Sequence, residues 1–138
     1  MKIDLIYLNE SKRIRKEYLN NLSYIVKRED EIQDFIVEIQ KVQTDIRETQ
    51  TTDERYFQEK LLLINENIDK LKSYITIYYE KIKQLDKDQR ILYDNIKVTY
   101  PDLKDDDLKN QIIECVKPID EEFRIKNVDL FEKLAKRE

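Results

Sequence analysis

Residues 57–96, FQEKLLLINENIDKLKSYITIYYEKIKQLDKDQRILYDNI, repeat an apolar residue at alternating intervals of four and three. Eleven of the twelve positions in this series are apolar or aromatic, and Gln89 is the exception. A spacing that averages 3.5 residues keeps one side of a helix against a partner helix, so the stretch predicts a long coiled-coil helix. We call this series the second stripe; its members are Phe57, Leu61, Ile64, Ile68, Leu71, Ile75, Tyr78, Ile82, Leu85, Gln89, Leu92 and Ile96.

An earlier part of the chain repeats the same spacing, and we call that series the first stripe. Seven of its nine positions are apolar, and the two others are Glu29 and Gln43. Polar residues in a coiled-coil interface can fix its register, but long side chains can also reach solvent at its edge, which is the interpretation we favour here. The first stripe consists of Tyr18, Leu22, Ile25, Glu29, Ile32, Ile36, Ile39, Gln43 and Ile46.

The two stripes are out of phase and are separated by the polar stretch ETQTTDE at residues 48–54. Thr51 and Glu54 have the spacing of a capping box, whose side chains satisfy the free N–H groups at the start of a helix. A turn near residues 49–52 would therefore fold the chain into an antiparallel hairpin of two long helices.

The lengths of the two stripes support this hairpin. Pairing Ile46 with Phe57 places Tyr18 opposite Leu85, so each arm has about 40 residues and a length of roughly 60 Å. The alternative fold is one continuous long helix in a dimeric coiled coil, in which the phase change is a four-residue stutter. No Gly or Pro interrupts the stretch, so the sequence leaves both folds open, and we favour the hairpin.

Two prolines divide the remainder of the chain. Pro101 pushes Tyr100 out of helical geometry, and Asp102 can cap the helix that follows. Pro118 suits the first turn of a further helix. The sequence therefore predicts two short C-terminal helices after the hairpin.

These features together predict a single elongated all-α domain over residues 1–138. Before the hairpin, an apolar arm docks on another part of the structure, and Asn9 or Ser11 caps the first long helix. The predicted segments are the arm at 1–9, the long helices at 10–49 and 52–98, and the short helices at 102–116 and 118–137.

Several apolar residues lie outside both stripes and require further packing. We expect either the C-terminal helices or a second copy of the chain to cover them, because two helices with narrow stripes bury too little surface alone. These residues are Leu19, Val26, Phe35 and Val42 beside the first stripe, and Leu62, Leu63, Tyr74, Ile77, Tyr79 and Tyr93 beside the second.

The composition argues against most catalytic and cofactor chemistry. The chain has no His, which is the commonest general base and metal ligand, and no Gly, which phosphate-binding and EF-hand loops require. The single Cys115 has no basic partner to activate it, so we interpret it as a small core residue. We therefore expect no enzyme activity, no catalytic residue, no cofactor and no metal site.

The sequence also predicts a compartment. No run of 18 apolar residues is present, so no segment is expected to span a membrane, and residues 1–8 do not resemble a signal peptide. One cysteine cannot form an internal disulfide. We therefore expect an intracellular, reducing compartment, either cytoplasmic or nuclear.

Charge is distributed unevenly along a chain whose net charge is −4. Residues 1–28 hold seven basic and three acidic residues, whereas residues 101–122 hold three basic and eight acidic ones. This asymmetry favours self-association or a protein partner over nucleic acid or a membrane. The candidate partner-binding residues are the basic group Lys12, Arg13, Arg15 and Lys16 and the acidic group Asp105, Asp106 and Asp107.

Both charged groups also have a simple structural interpretation, which we favour. The basic group is typical of a solvated helix face, and the acidic group is typical of a helix start, where the helix dipole stabilises negative charge. The tyrosines at positions 74, 78 and 79 could form a recognition surface, although packing against a further helix is the interpretation we favour for them.

Three functional hypotheses follow. The first is a non-enzymatic helical protein–protein interaction module, a scaffold or adaptor subunit of a larger assembly that acts on no small-molecule substrate. The second is an acidic inhibitor or regulator that binds a basic surface of an enzyme or a nucleic-acid-binding protein through residues 101–122. The third is contact with nucleic acid or an anionic membrane through residues 12–16.

Overall fold

The protein is all-α, and its first two helices form an antiparallel hairpin, as the sequence predicted. The computed structural model describes residues 1–49 and 54–137. Over these ranges the chain forms no strand and three helices, α1 (Leu5–Thr49), α2 (Glu54–Thr99) and α3 (Asp105–Arg137). The predicted turn and the capping residue Thr51 fall on residues 50–53, which lie outside the described residues.

The helices contribute to two compact units. Unit 1 consists of Met1–Ser23 and Tyr79–Glu138, and unit 2 is Tyr24–Tyr78. Unit 1 therefore takes the beginning of α1, the end of α2 and all of α3, whereas unit 2 has only segments of α1 and α2.

Unit 1 is a three-helix bundle. The hydroxyl groups of Tyr7 and Thr99 lie 2.9 Å apart, so the start of α1 adjoins the end of α2 and these helices are antiparallel. Arg15 of α1 binds Asp120 of α3, and Ser23, later on α1, binds Asn127, later on α3. The helix α3 therefore runs parallel to α1. The buried core of the bundle consists of Ile3, Ile14, Leu85, Leu92, Ile96, Leu108 and Ile112.

Unit 2 has a narrower core, formed where α1 and α2 face each other. Val42 of α1 packs with Ile64 and Ile68 of α2, and Tyr24, earlier on α1, lies against Tyr78, later on α2, so the two helices are antiparallel. Half-buried residues surround these three, and they are Ile32, Phe35, Ile39, Ile46, Phe57 and Leu61.

Every member of the second stripe is buried or half-buried, but the first stripe requires a correction. Glu29, Ile36 and Gln43 of that stripe are exposed, while Phe35 and Val42 pack into the core of unit 2. The α1 residues that contact α2 are therefore spaced by three and then four, the reverse of the predicted order. Phe35 and Val42 contact α2 where Ile36 and Gln43 were predicted to do so. The reason is that this phase brings Phe35 and Val42 to α2 and leaves the two polar residues in solvent.

The first helix begins at Leu5, so the predicted arm at 1–9 with a cap at Asn9 or Ser11 was wrong. Asp4 is the cap, because its side-chain Oδ1 accepts from the Ile6 N–H and its carbonyl accepts from the N–H groups of Tyr7 and Leu8.

The third helix also begins later than predicted. The Leu103 N–H donates to the Tyr100 carbonyl at 3.1 Å, so residues 100–103 form a turn with Pro101 at its favoured second position. Asp102 lies in this turn and does not cap the helix, which starts at Asp105.

One helix, α3, replaces the two short helices predicted at 102–116 and 118–137. Pro118 lies inside it and supplies no N–H for a helical hydrogen bond. Contacts to α1 hold both halves: the Cys115 Sγ donates to the Leu8 carbonyl before the proline, and Asp120 pairs with Arg15 after it. This anchoring on one helix explains why α3 continues through a residue that usually starts or ends a helix.

Candidate functional site

The main candidate is an exposed apolar surface on the α2 segment of unit 2. Leu63 and Ile77 are 59% and 51% exposed, and their interval of fourteen residues places them on one side of the helix, with Lys70 between them. Tyr74 is exposed and lies beside Ile77, three residues away along the helix. We call Leu63, Lys70, Tyr74 and Ile77 the α2 face.

A tyrosine pair extends this surface onto α1. The rings of Tyr24 and Tyr78 lie 5.3 Å apart with an interplanar angle of 43°. Tyr24 is exposed and Tyr78 is half-buried, four residues after the exposed Tyr74. Unit 2 therefore presents aromatic rings from both of its helices, and tyrosine combines an apolar ring with a polar hydroxyl as interface residues often do.

The apolar residues outside the two stripes, for which the sequence predicted further packing, fall into a covered group and an exposed group. Those beside the first stripe are all buried or half-buried, as is Tyr93. The remainder beside the second stripe stay exposed within the described structure, and they are Leu62, Leu63, Tyr74, Ile77 and Tyr79.

The two units also differ in charge. Unit 2 holds eight basic and twelve acidic residues, so it carries the whole net charge of −4, whereas basic and acidic residues balance in unit 1. The α2 face itself includes Lys70, so the negative charge is a property of unit 2 as a whole.

The candidate basic group is partly neutralised by neighbouring acids. Arg13 pairs with Glu10 at 2.5 Å and with Glu17 at 3.0 Å, and Arg15 pairs with Asp120 at 2.7 Å. The hydrogen bonds that Arg13 donates to Glu10 and Glu17 raise the pKa of Arg13, and the bond that Glu10 accepts lowers the pKa of Glu10.

The group's other two members, Lys12 and Lys16, are exposed. Two of the four basic side chains at residues 12–16 therefore already form ion pairs within unit 1. The other two leave only a small positive surface for nucleic acid or lipid.

The candidate acidic group forms the first turn of α3. Asp105, Asp106 and Asp107 are all exposed there, and Asp105 pairs with Lys97 of α2 at 3.3 Å. Negative charge at this position stabilises the start of a helix. Both features give the three aspartates a role within the fold.

Cys115 is half-buried on α3. Burial raises the pKa of the thiol, with smaller opposing effects from a hydrogen bond with Ser11 and from the charge of Lys12. A raised pKa keeps the sulfur protonated at neutral pH, and the thiol is a weaker nucleophile than the thiolate.

Sequence reasoning missed three polar residues that join the helices of unit 1. Gln111 binds residues 1–3 with both atoms of its side-chain amide, and Ser23 donates to the Asn127 Oδ1 at 3.0 Å in a buried site. The signal that could have revealed Ser23 is its spacing from Leu19 and Val26, because all three share the side of α1 that turns away from the first stripe.

The described ranges supply neither a metal-binding cluster nor a membrane-spanning helix. Within the described ranges, no three His, Cys, Asp or Glu side chains are grouped so that they could hold a metal ion. None of the described helices has a segment apolar enough, over a sufficient length, to cross a membrane. Comparison of the chain with protein families, with curated proteins and with solved structures finds no match.

Proposed function

We propose that this protein is a non-enzymatic interaction module that binds another protein through the exposed apolar surface of unit 2. The observation that carries the proposal is the α2 face, where Leu63, Tyr74 and Ile77 are exposed along one side of a helix whose core-facing side is buried. Exposed apolar residues aligned at helical intervals commonly mark a surface that binds another helix.

The chemistry of unit 2 defines the partner we expect. Apolar residues at helical intervals suit an amphipathic helix, whose own apolar side chains would pack against Leu63 and Ile77. The net charge of −4 in unit 2 favours basic residues at the edges of that helix. The protein would thus act as a scaffold or adaptor, in a reducing compartment that suits its single Cys115.

Site-specific photo-crosslinking tests this proposal directly. A benzophenone amino acid is placed at Leu63, at Ile77 or, as a control, at Thr76, which is exposed on the same helix but lies at least about 100° around it from each member of the α2 face. We expect one discrete adduct from positions 63 and 77 in extracts of the producing cells, and little from position 76. Equal labelling from all three positions would contradict the proposal, and the adduct mass distinguishes a second copy from another protein.

Charge substitution gives an independent test of the same surface. Leu63→Glu and Ile77→Glu replace exposed residues, so each should change the free energy of unfolding by less than about 1 kcal/mol. Each should weaken binding of the cross-linked partner at least about tenfold, because a charge is then desolvated against apolar side chains. Retained affinity in both variants would exclude the α2 face as the binding surface.

A further inference from the structure

Unit 1 contains a cavity of about 440 Å³ between its three helices. This site is separate from the surface proposed above, which lies in unit 2. Its apolar wall comes from α1, α2 and α3, and consists of Ile14, Tyr18, Leu85, Leu92, Ile112 and Val116.

The cavity opens to solvent, because Asp86, Ile113 and Lys117 of its lining are exposed. Ile14, Leu85, Leu92 and Ile112 are at most 6% exposed, so the accessible apolar surface of the cavity comes mainly from the half-buried Tyr18, Tyr93 and Val116. A volume of 440 Å³ falls in the range of small-molecule sites, about 300–1,000 Å³.

Two polar side chains at the cavity can orient a ligand. The Gln89 Nε2 donates to the Tyr93 hydroxyl at 2.8 Å, and both residues line the cavity. This hydrogen bond uses an amide hydrogen and a hydroxyl lone pair. It leaves the Gln89 Oε1 as an acceptor and the Tyr93 O–H as a donor for a bound molecule.

The charged side chains at the cavity balance one another. Arg15 pairs with Asp120 at 2.7 Å and lies over the ring of Tyr18, with its guanidinium carbon 5.4 Å from the ring centroid. Asp86 and Lys117 add one charge of each sign to the lining. The lining of the cavity therefore carries no net charge, so an ionic ligand gains little net electrostatic attraction to offset its lost hydration.

We propose that this cavity binds a neutral ring compound of one or two fused rings that carries a single hydroxyl or amide group. The rings contact Tyr18 and Val116, which present accessible apolar surface to the cavity, and the polar group bonds to Gln89 and Tyr93. The molecule is a bound ligand and undergoes no reaction in the site.

Fluorescence titration with 2-naphthol tests the proposal, and the absence of tryptophan from the chain keeps the probe signal clear. We expect saturable binding of one molecule per chain. Naphthalene-2-sulfonate has the same rings but a negative charge, and it should bind at least about tenfold more weakly. The proposal fails if 2-naphthol shows no saturable binding at millimolar concentration, or if the sulfonate binds equally well; water or a partner's side chain would then fill the cavity.

Matched substitutions on α3 locate the site. Val116→Phe fills the cavity and should weaken 2-naphthol binding at least about tenfold, whereas Ile125→Phe makes the same kind of enlargement at a residue that is 77% exposed and should leave binding unchanged. Equal affinities of the two variants would overturn the assignment.

A third variant keeps the test valid if Val116→Phe does not fold. Gln89→Leu removes the acceptor while keeping the wall apolar, so it should weaken 2-naphthol several-fold and leave naphthalene unaffected. Unchanged affinity for 2-naphthol in this variant would overturn the proposed orientation. Circular dichroism at 222 nm verifies the helix content of each variant.

Discussion

Unit 1 and unit 2 contain segments of the same two helices, yet they bury their apolar residues to different extents. In unit 1 a third helix covers the pair, and joins it through a buried Ser23–Asn127 hydrogen bond and the Arg15–Asp120 ion pair. In unit 2 the core is confined to the contact between α1 and α2, and Leu63 and Ile77 stay exposed. Heptad spacing alone therefore specifies a helix pair, whereas the third helix enlarges the buried core; exposed apolar residues remain in both units, as Ile125 of α3 shows.

The largest predicted effect compares buried isoleucines in the two units. Ile96→Ala should cost about 3–4 kcal/mol, because Ile96 is 0% exposed and three helices surround the resulting cavity. Ile64→Ala in unit 2 should cost about 2 kcal/mol, at the lower end of the range for such changes, because water can reach the space between two helices. Urea unfolding followed at 222 nm measures both values. Equal losses would remove the proposed difference between the units.

A smaller effect is expected at the hydrogen bond that joins α1 and α3. Ser23→Ala removes the donor and leaves the Asn127 Oδ1 buried without it, which should cost about 2 kcal/mol. The control is Ser73→Ala in unit 2, where the exposed hydroxyl donates to the Asp69 carbonyl within the same helix. That change should be neutral or stabilise by up to about 0.5 kcal/mol, since Ala favours helix. Equal destabilisation in both variants would show that the Ser23–Asn127 hydrogen bond contributes no specific stability to the contact between α1 and α3.

The next prediction concerns the start of α1. Asp4→Ala should destabilise the protein by about 1 kcal/mol, because it removes the side chain that accepts from the Ile6 N–H. Asp102→Ala is the matched control, since Asp102 lies in the turn before α3 and caps no helix. Thermal unfolding of both variants measures the difference, and a larger loss at Asp102 would contradict the observed helix starts.

The smallest effect is expected at the ion pair between Arg15 and Asp120. Each side chain is 39% exposed, so their coupling energy should be about 0.5 kcal/mol and should fall at 1 M salt, where the screening length is about 3 Å. A double-mutant cycle with Arg15→Gln and Asp120→Asn measures the coupling. A coupling that is both larger than about 1 kcal/mol and independent of salt would mean that the third helix is held chiefly by charge.

The two stripes show how far the fold follows from sequence. The second stripe could be predicted because its spacing persists over forty residues and admits one phase. The first stripe admits two phases, since Phe35 and Ile36 are adjacent apolar residues and either could face α2. Only the three-dimensional contact of Phe35 and Val42 with α2 decides between them.

The site could be predicted only in part. The sequence identified Leu63, Tyr74 and Ile77 as residues that require a partner, because they lie outside the stripe. It did not indicate which surplus residues α3 would cover, since that depends on α3 continuing through Pro118 and following α1. The cavity of unit 1 has no sequence signal, because its volume depends on the distances between helices.

The side chain of Gln111 has a consequence for the short segment before α1. Its Oε1 accepts from the Ile3 N–H at 2.8 Å, and its Nε2 donates to the Met1 carbonyl at 2.7 Å. The side-chain amide of Gln111 thus accepts one backbone hydrogen bond and donates another, as the backbone of a neighbouring strand does in a β-sheet. This pairing occurs here within an all-helical bundle. A carboxylate at this position is nearly the same shape, but it has no hydrogen to donate and would repel the Met1 oxygen. Deamidation of Gln111 would therefore break the bond to Met1 without changing the size of any side chain, while the buried Ile3 keeps its place in the core.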